Sequence, residues 1–393
     1  MQITSATMQI TSATALLATS ACWRAPPTIT MKMPDWVPAA RIAEISEPAA
    51  QAAFSNMQTA ELTLPSAVST APVAVRYLKT NVEPSSDLPP MLLVHGFDIS
   101  SLEYRRLLPQ LEAMGIEAYA PCIAGWGFTE TTTLKTVGTD GKRAQLLAFH
   151  EQVLGGRPAC WVGASLGACI ALDCYLAQPS AFQSLACLAP GFFTPPPPVV
   201  PAPIGRLLLQ NVLSSPGVRE SIAKQAYSVK EDQTEDAIRC GNLHLNRREW
   251  EDDSLTWLLS GAYGDQSGEV PKLSGNVEVL TLWGREDEVI PPAGLGAWPA
   301  ARLMQALPSS TFRWVDGSGH TPHLEQPVVT ATALNAFVRG QPVPGNADVS
   351  DVLKQAETYD KVKETAGAVA AKAREALGEA FEKAKEAVAE QTK

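Results

Sequence analysis

Three residues of this chain have the types and the order for nucleophilic acyl transfer: Ser165, Asp287 and His320. A serine hydroxyl attacks a carbonyl only when a base takes its proton, the base works best when an acid fixes its tautomer, and the developing oxyanion needs donors. Ser165 lies in Gly163-Ala164-Ser165-Leu166-Gly167, the pattern G-x-S-x-G, between a short apolar β-prone run at 159–162 and a stretch with helical spacing at 166–177. On a strand-to-helix turn this is a nucleophile elbow, a tight corner that lifts the hydroxyl clear of the sheet. The flanking glycines fit because a Cβ there would meet neighbouring backbone. Alone, the motif arises by chance in roughly one chain in ten of this length, so its weight depends on the partners.

Both partners follow expected strands. Asp287 sits in Gly284-Arg285-Glu286-Asp287-Glu288-Val289-Ile290-Pro291 after a strand at 277–283, and His320 sits in Gly317-Ser318-Gly319-His320 after a strand at 311–315. In a parallel sheet all three then emerge at the carboxyl edge, where ligands bind. Glu286 and Glu288 compete with Asp287, and His323 competes with His320. His320 is preferred for its preceding Gly319 and its shorter distance from the strand. His95 reads as structural.

Further strands are expected at 61–64, 73–78, 91–94, 117–119 and 184–189. Helices are expected at 38–57, 104–114, 142–154, 166–177, 294–307 and 326–338. Strands alternating with helices imply a mostly parallel sheet covered on both faces, an α/β fold. The alternation breaks at 191–270, where a proline run at 195–198 is followed by irregular helical segments containing Leu207–Leu209, Trp250, Leu255 and Trp257; this reads as an inserted helical cap. The expected organisation is a targeting segment at 1–34, core at 35–190, cap at 191–270, core again at 271–340 and a helical tail at 341–393.

With these motifs in place, the span 91–338 resembles the α/β-hydrolase superfamily. The resemblance rests on His95-Gly96-Phe97, the elbow at 163–167, Asp287 in its Gly-x-x-Asp-x-x-x-Pro setting, and Gly319-His320, in the chain order Ser, Asp, His. Val94-His95-Gly96-Phe97-Asp98 with Gly125-Trp126-Gly127-Phe128 is similar, more narrowly, to plant and algal plastid hydrolases. The resemblance implies an oxyanion hole made by the backbone N–H groups of Phe97 and Leu166, and a cap over the pocket. Asp98, Trp126, Trp250 and Trp257 are the pocket candidates, with core packing as the alternative for the tryptophans. Ala164 and Cys122 depart from the family pattern, where His and Asp are common. The serine nucleophile argues against the epoxide-hydrolase and dehalogenase chemistries, which use Asp.

The expected activity is hydrolysis of an ester with an apolar acyl or prenyl group, lipids and chlorophyll phytyl esters included, without cofactor or metal. The alternatives are a cofactor-free C–C hydrolase or haloperoxidase of the same fold, and a non-catalytic small-molecule receptor or scaffold. A net charge of −10 over 393 residues gives no electrostatic case for nucleic acid. Seven cysteines, an odd number mostly within apolar patterns, read as reduced core residues. Residues 1–34 lack Asp and Glu and are rich in Ser, Thr, Ala and Met, which reads as a plastid transit peptide, with secretory or untargeted alternatives. The tail carries an Ala-rich stripe with an eleven-residue period, a nearly straight helix. It reads as solvated, with a weak membrane-surface or partner contact as the alternative. Oligomeric state is not legible.

Overall fold

The computed structural model describes residues 29–31, 33–196, 200–292 and 299–354. Its strands are β1 (Ile29–Met31), β2 (Gln58–Leu62), β3 (Val73–Lys79), β4 (Met91–Val94), β5 (Ala118–Pro121), β6 (Ala159–Ala164), β7 (Phe182–Leu188), β8 (Glu278–Gly284) and β9 (Thr311–Val315). The helices are α1 (Ala39–Ala43), α2 (Pro48–Asn56), α3 (Leu107–Ala113), α4 (Thr139–Val153), α5 (Leu166–Ala177), α6 (Ala202–Leu208), α7 (Pro216–Ala226), α8 (Glu235–Asn242), α9 (Trp250–Leu259), α10 (Pro299–Ala306), α11 (Pro322–Glu325) and α12 (Pro327–Val338).

The strands form one nine-stranded sheet in the order β1-β2-β3-β5-β4-β6-β7-β8-β9. The first three pair antiparallel and β3 pairs antiparallel with β5; from β5 to β9 every pairing is parallel. After β4 the chain turns one way, to β5, and after β6 it turns the other way, to β7. The loops leaving β4 and β6 therefore diverge, and the crevice between them is the switch point where ligands bind in such sheets.

The period-2 alternation of the central strands splits the core into two layers. Leu92, Val94, Trp161, Leu185 and Cys187 pack with residues of α4, α5 and α10 on one face. Met91, Leu93, Val162, Ala186, Leu188, Leu280 and Leu282 pack with residues of α2, α3 and α12 on the other. Being buried on both faces, these strands read in sequence as continuous apolar runs, as parallel strands do. The six described cysteines are all buried and free.

Helices α6–α9 lie between β7 and β8, in the stretch 191–270. Leu209, Trp250 and Leu255 give this unit a small cluster of its own. The helix expected at 38–57 is two helices, because Pro48 opens α2 and holds Glu47 in an extended conformation. The helix expected from 104 starts as a 3-10 turn at Ser101–Tyr104 before α3. Strand β1 pairs with β2, so the sheet begins inside the stretch read as a targeting segment. The rest of that segment, the start of the helix expected from 294, and the tail helix beyond 354 lie outside the described residues. The beginning of the tail is described and packs on β9: Trp314 donates to the Asn346 carbonyl (2.8 Å) and through its indole to the Asp348 carbonyl (2.8 Å).

Candidate active site

β6 ends at Ala164, and Ser165 turns the chain into α5 with φ +52° and ψ −117°. That left-handed value is strained for a residue with a side chain and persists only where its surroundings enforce it. The Ser165 amide donates to the Leu188 carbonyl (2.9 Å) and the Ser165 carbonyl accepts from Gly191 (3.1 Å), pinning the corner to the end of β7. The glycines are required by close approach. A Cβ on Gly163 would stand 2.4 Å from the Ala168 backbone, and one on Gly167 only 2.0 Å from the Val94 carbonyl oxygen at the end of β4.

Asp287 follows β8 and is buried. Its Oδ1 accepts from the amides of Val289 and Ile290, both at 2.9 Å, and its Oδ2 accepts from the Trp283 indole (3.1 Å) and from His320 Nδ1 (2.8 Å). The competing carboxylates Glu286 and Glu288 are exposed, and Glu286 is taken by the Ser318 amide at 3.0 Å. His320 follows β9. Burial alone would lower its pKa, but the charge and hydrogen bond of Asp287 outweigh that and hold the imidazole above its ordinary value. With Nδ1–H committed to Asp287, Nε2 is left as the basic nitrogen. The imidazole is about 10% exposed, enough to be reached.

The loop after β4 carries His95, Gly96, Phe97 and Asp98. Buried His95 is pushed down to about 4 by desolvation and is neutral. Its Nδ1–H faces the Gly96 carbonyl (3.0 Å) and its Nε2 accepts from the Ile123 amide (2.9 Å), a structural role. Glu103 accepts from the Gly96 amide at 2.9 Å. Among the described residues neither the Phe97 nor the Leu166 amide has a hydrogen-bond acceptor. His323, the alternative base, is buried 3.1 Å from Glu103 and against the Tyr104 ring, away from the crevice.

Ser165, His320 and Phe97 line one cavity of about 240 Å³. Its walls come from both sides: Leu102 and Leu324 from the core, and Leu213, Ile222 and Ala223 from the cap. Asp98 lines it too, but its carboxylate and carbonyl take four hydrogen bonds from three cap side chains, Arg219, His244 and Trp250. Trp126, Trp250 and Trp257 correct the pocket expectation, since none of them is in the wall. Trp126 is fully buried under the Lys142 ammonium, 3.8 Å from its ring centre. Trp250 spends its indole N–H on Asp98 (2.7 Å), and Trp257 packs on Phe97 and Trp126 with ring centres 5.0 Å apart in each case. Apolar aromatic residues at these positions read equally well as pocket or as packing, and packing claims them.

Residues 91–333 match the model of the alpha/beta hydrolase family, well over half the chain. The chain belongs to that family. This alpha/beta hydrolase is 28% identical over 272 residues to the alpha/beta hydrolase domain-containing protein VTE7 of Arabidopsis thaliana, a match covering 65% of this chain and 76% of the relative. Among solved structures, a thermophilic esterase from Thermogutta terrifontis superposes with a TM-score of 0.58 at 17% identity, covering 72% of this chain and 98% of the esterase. A meta-cleavage product hydrolase from Pseudomonas fluorescens IP01 superposes with a TM-score of 0.54 at 17% identity, covering 67% and 94%. At such identities the likeness establishes the fold, and the fold hosts several hydrolytic chemistries. Among the described residues no helix is long and apolar enough to cross a membrane.

The sequence reading missed Glu103, Arg219, His244 and Glu325. Glu325 accepts from Gly319 (2.7 Å) beside His320 and from Ser228 (2.7 Å) in the cap, so it ties the histidine loop to the cap. None of these residues stands in a motif; each lies in a helical segment whose neighbours carry the only legible pattern.

Proposed function

We propose that this alpha/beta hydrolase is a serine hydrolase that cleaves an ester with an apolar acyl or prenyl group. The observation that carries the proposal is the meeting of Ser165, on its strained corner, with the Asp287–His320 pair at one mostly apolar cavity. His320 Nε2 takes the proton of Ser165 as the Oγ attacks the carbonyl carbon. The oxyanion is held by the Phe97 and Leu166 amides, each such donor typically contributing on the order of 10²–10³ in rate. The imidazolium, stabilised by Asp287, returns the proton to the leaving alcohol, and water then repeats the sequence on the acyl-enzyme. Four donors converge on the two oxygens of Asp287 and fix the carboxylate against the imidazole. The acid-free composition of residues 1–34 supports a plastid address, where phytyl and acyl esters are abundant candidates.

The test is labelling of the full chain with a fluorophosphonate probe followed by peptide mapping, beside Ser165→Ala. Label on Ser165 alone, lost in the variant, is the expected result. A folded protein that stays unlabelled at Ser165 refutes the proposal.

A further inference from the structure

The residue after Phe97 is in an unusual state. Asp98 has φ +50°, a left-handed conformation, and its carboxylate is nearly fully buried. Such a conformation needs its surroundings to over-determine it. Every side-chain donor that does so comes from the cap. Arg219 of α7 donates from Nη1 to Oδ2 at 2.6 Å and from Nη2 to the Asp98 carbonyl at 3.3 Å. His244 Nε2 reaches Oδ1 at 2.9 Å, and Trp250 Nε1 reaches the same oxygen at 2.7 Å. Arg219 is itself fixed to the cap, through the Leu213 carbonyl (3.0 Å) and the Asn242 side chain (2.5 Å). The Phe97 ring is likewise held between core Trp126 and cap Trp257, at 5.1 and 5.0 Å.

We infer that Arg219 is a positioning residue for the oxyanion hole: by clamping Asp98 to the docked cap it sets the direction of the neighbouring Phe97 amide, so that the cap builds part of the catalytic geometry as well as covering the cavity. The inference rests on the proposed reading of Phe97 as an oxyanion donor. A guanidinium suits the task because its planar fork meets the carboxylate, the Asp98 carbonyl and two cap acceptors at once, which an ammonium cannot do. The other end of α7 meets the second loop of the site, where the His320 amide donates to the Ala226 carbonyl at 2.8 Å. One cap helix thus touches the loop of the proposed donor and the loop of the proposed base.

The experiment uses the full chain with 4-nitrophenyl butyrate as substrate and butylboronic acid as a probe of the tetrahedral state. Arg219→Gln is expected to lower kcat by on the order of 10²-fold, the scale of an ångström-level misplacement. KM is expected to move by less than about threefold, and boronate affinity to weaken in step with kcat. Arg219→Lys keeps the charge without the fork and recovers only part of the loss. Trp250→Phe keeps the ring but removes one donor to Asp98, giving a smaller loss of the same kind; it decides the matter if Arg219→Gln does not fold. Unchanged kcat in both variants, or a loss confined to KM, overturns the inference. Fluorophosphonate labelling of the wild type separates the two readings: with Ser165 labelled, such a result sinks the positioning role alone, whereas an unlabelled wild type sinks the serine-hydrolase reading on which it stands.

Discussion

Replacing Asp287 by Asn tests the proposed base–acid pair most sharply, because the structure dictates how the new amide must sit. Four donors converge on the carboxylate, the Val289 and Ile290 amides on Oδ1 and the Trp283 indole and His320 Nδ1 on Oδ2. An Asn side chain has one acceptor oxygen and one donor NH2, so whichever pair meets the NH2 faces a donor–donor clash. With NH2 toward the backbone amides, neither clash can be relieved. With NH2 toward Trp283 and His320, the imidazole relieves one by moving its proton from Nδ1 to Nε2 and accepting at Nδ1. The second arrangement therefore wins, and it leaves His320 with a proton where Ser165 needs a base. The rate penalty for this tautomer error is on the order of 10⁴, equivalent to about 5 kcal/mol of activation free energy. The unpaired Trp283 N–H adds roughly 1–3 kcal/mol of lost stability. Removing the carboxylate charge also removes the largest influence that lifts the His320 pKa, leaving Glu103 and Glu325, while burial continues to depress it, so the acid limb of the residual activity shifts to lower pH. Hydrolysis of 4-nitrophenyl butyrate across pH 5–9, with thermal unfolding alongside, measures all three. A loss of less than tenfold, or an acid limb that stays or rises, would refute the reasoning.

Other outcomes follow from single features. In the wild type, activity falls as pH drops through a midpoint above 6.5, because the neutral imidazole is the active form and Asp287 raises its pKa; a midpoint well below that value in the kcat/KM profile contradicts the pairing. Gly167→Ala drives a Cβ into the Val94 carbonyl and costs roughly 3 kcal/mol. Gly115→Ala, at φ +72° in open space, costs only the left-handed strain of about 1 kcal/mol, and urea unfolding should separate the two. Lys142 is buried and desolvation lowers its pKa to about 7. Between pH 7 and 8 the unfolded chain binds more protons there than the folded one, so this residue makes stability rise with pH. Lys142→Met should flatten that slope in urea midpoints, and an unchanged slope would show that the ammonium is not the cause.

The parts of the site legible in the sequence are those fixed by backbone geometry. Gly163 had to be glycine because the backbone of Gly167 and Ala168 folds back against it, and Gly167 because strand β4 passes within contact, and the requirement shows as a motif. Asp287 and His320 were legible because each follows a recognisable strand: β8 is buried along most of its length and reads as an apolar run, and β9, at the sheet edge, alternates buried Phe312 and Trp314 with half-buried Thr311 and Arg313. Arg219, His244 and Glu325 were not legible, because their partners lie far along the chain: Arg219 meets Asp98, and Glu325 meets Ser228. No local periodicity encodes such a contact. The tryptophans misled for a related reason. Trp250 is a hydrogen-bond donor to a core carboxylate, a role set by cap docking, and Trp126 is the floor under Phe97.

Charge, more than chain stiffness, shapes the loops of this crevice. Four buried carboxylates each hold a different piece: Glu103 the Gly96 amide, Asp98 the cap side chains, Asp287 the 289–290 turn and the imidazole, Glu325 the Gly319 and Ser228 amides. Burial disfavours each charge, and charge-assisted hydrogen bonds offset that cost. For Asp98, burial pushes the pKa up, but His244 and Arg219 more than reverse it and bring it down to about 2. A carboxyl depressed in the folded state contributes stability above its unfolded pKa near 4 and loses it only as pH falls through the folded value. His320 is raised and accepts its proton several pH units higher. The proposed base is therefore protonated by acid well before the carboxylate of the clamp beside Phe97. Between those two titrations the Asp98 clamp keeps its charge while the imidazole carries a proton, so the acid limb of the proposed activity is expected to follow His320 and not that clamp.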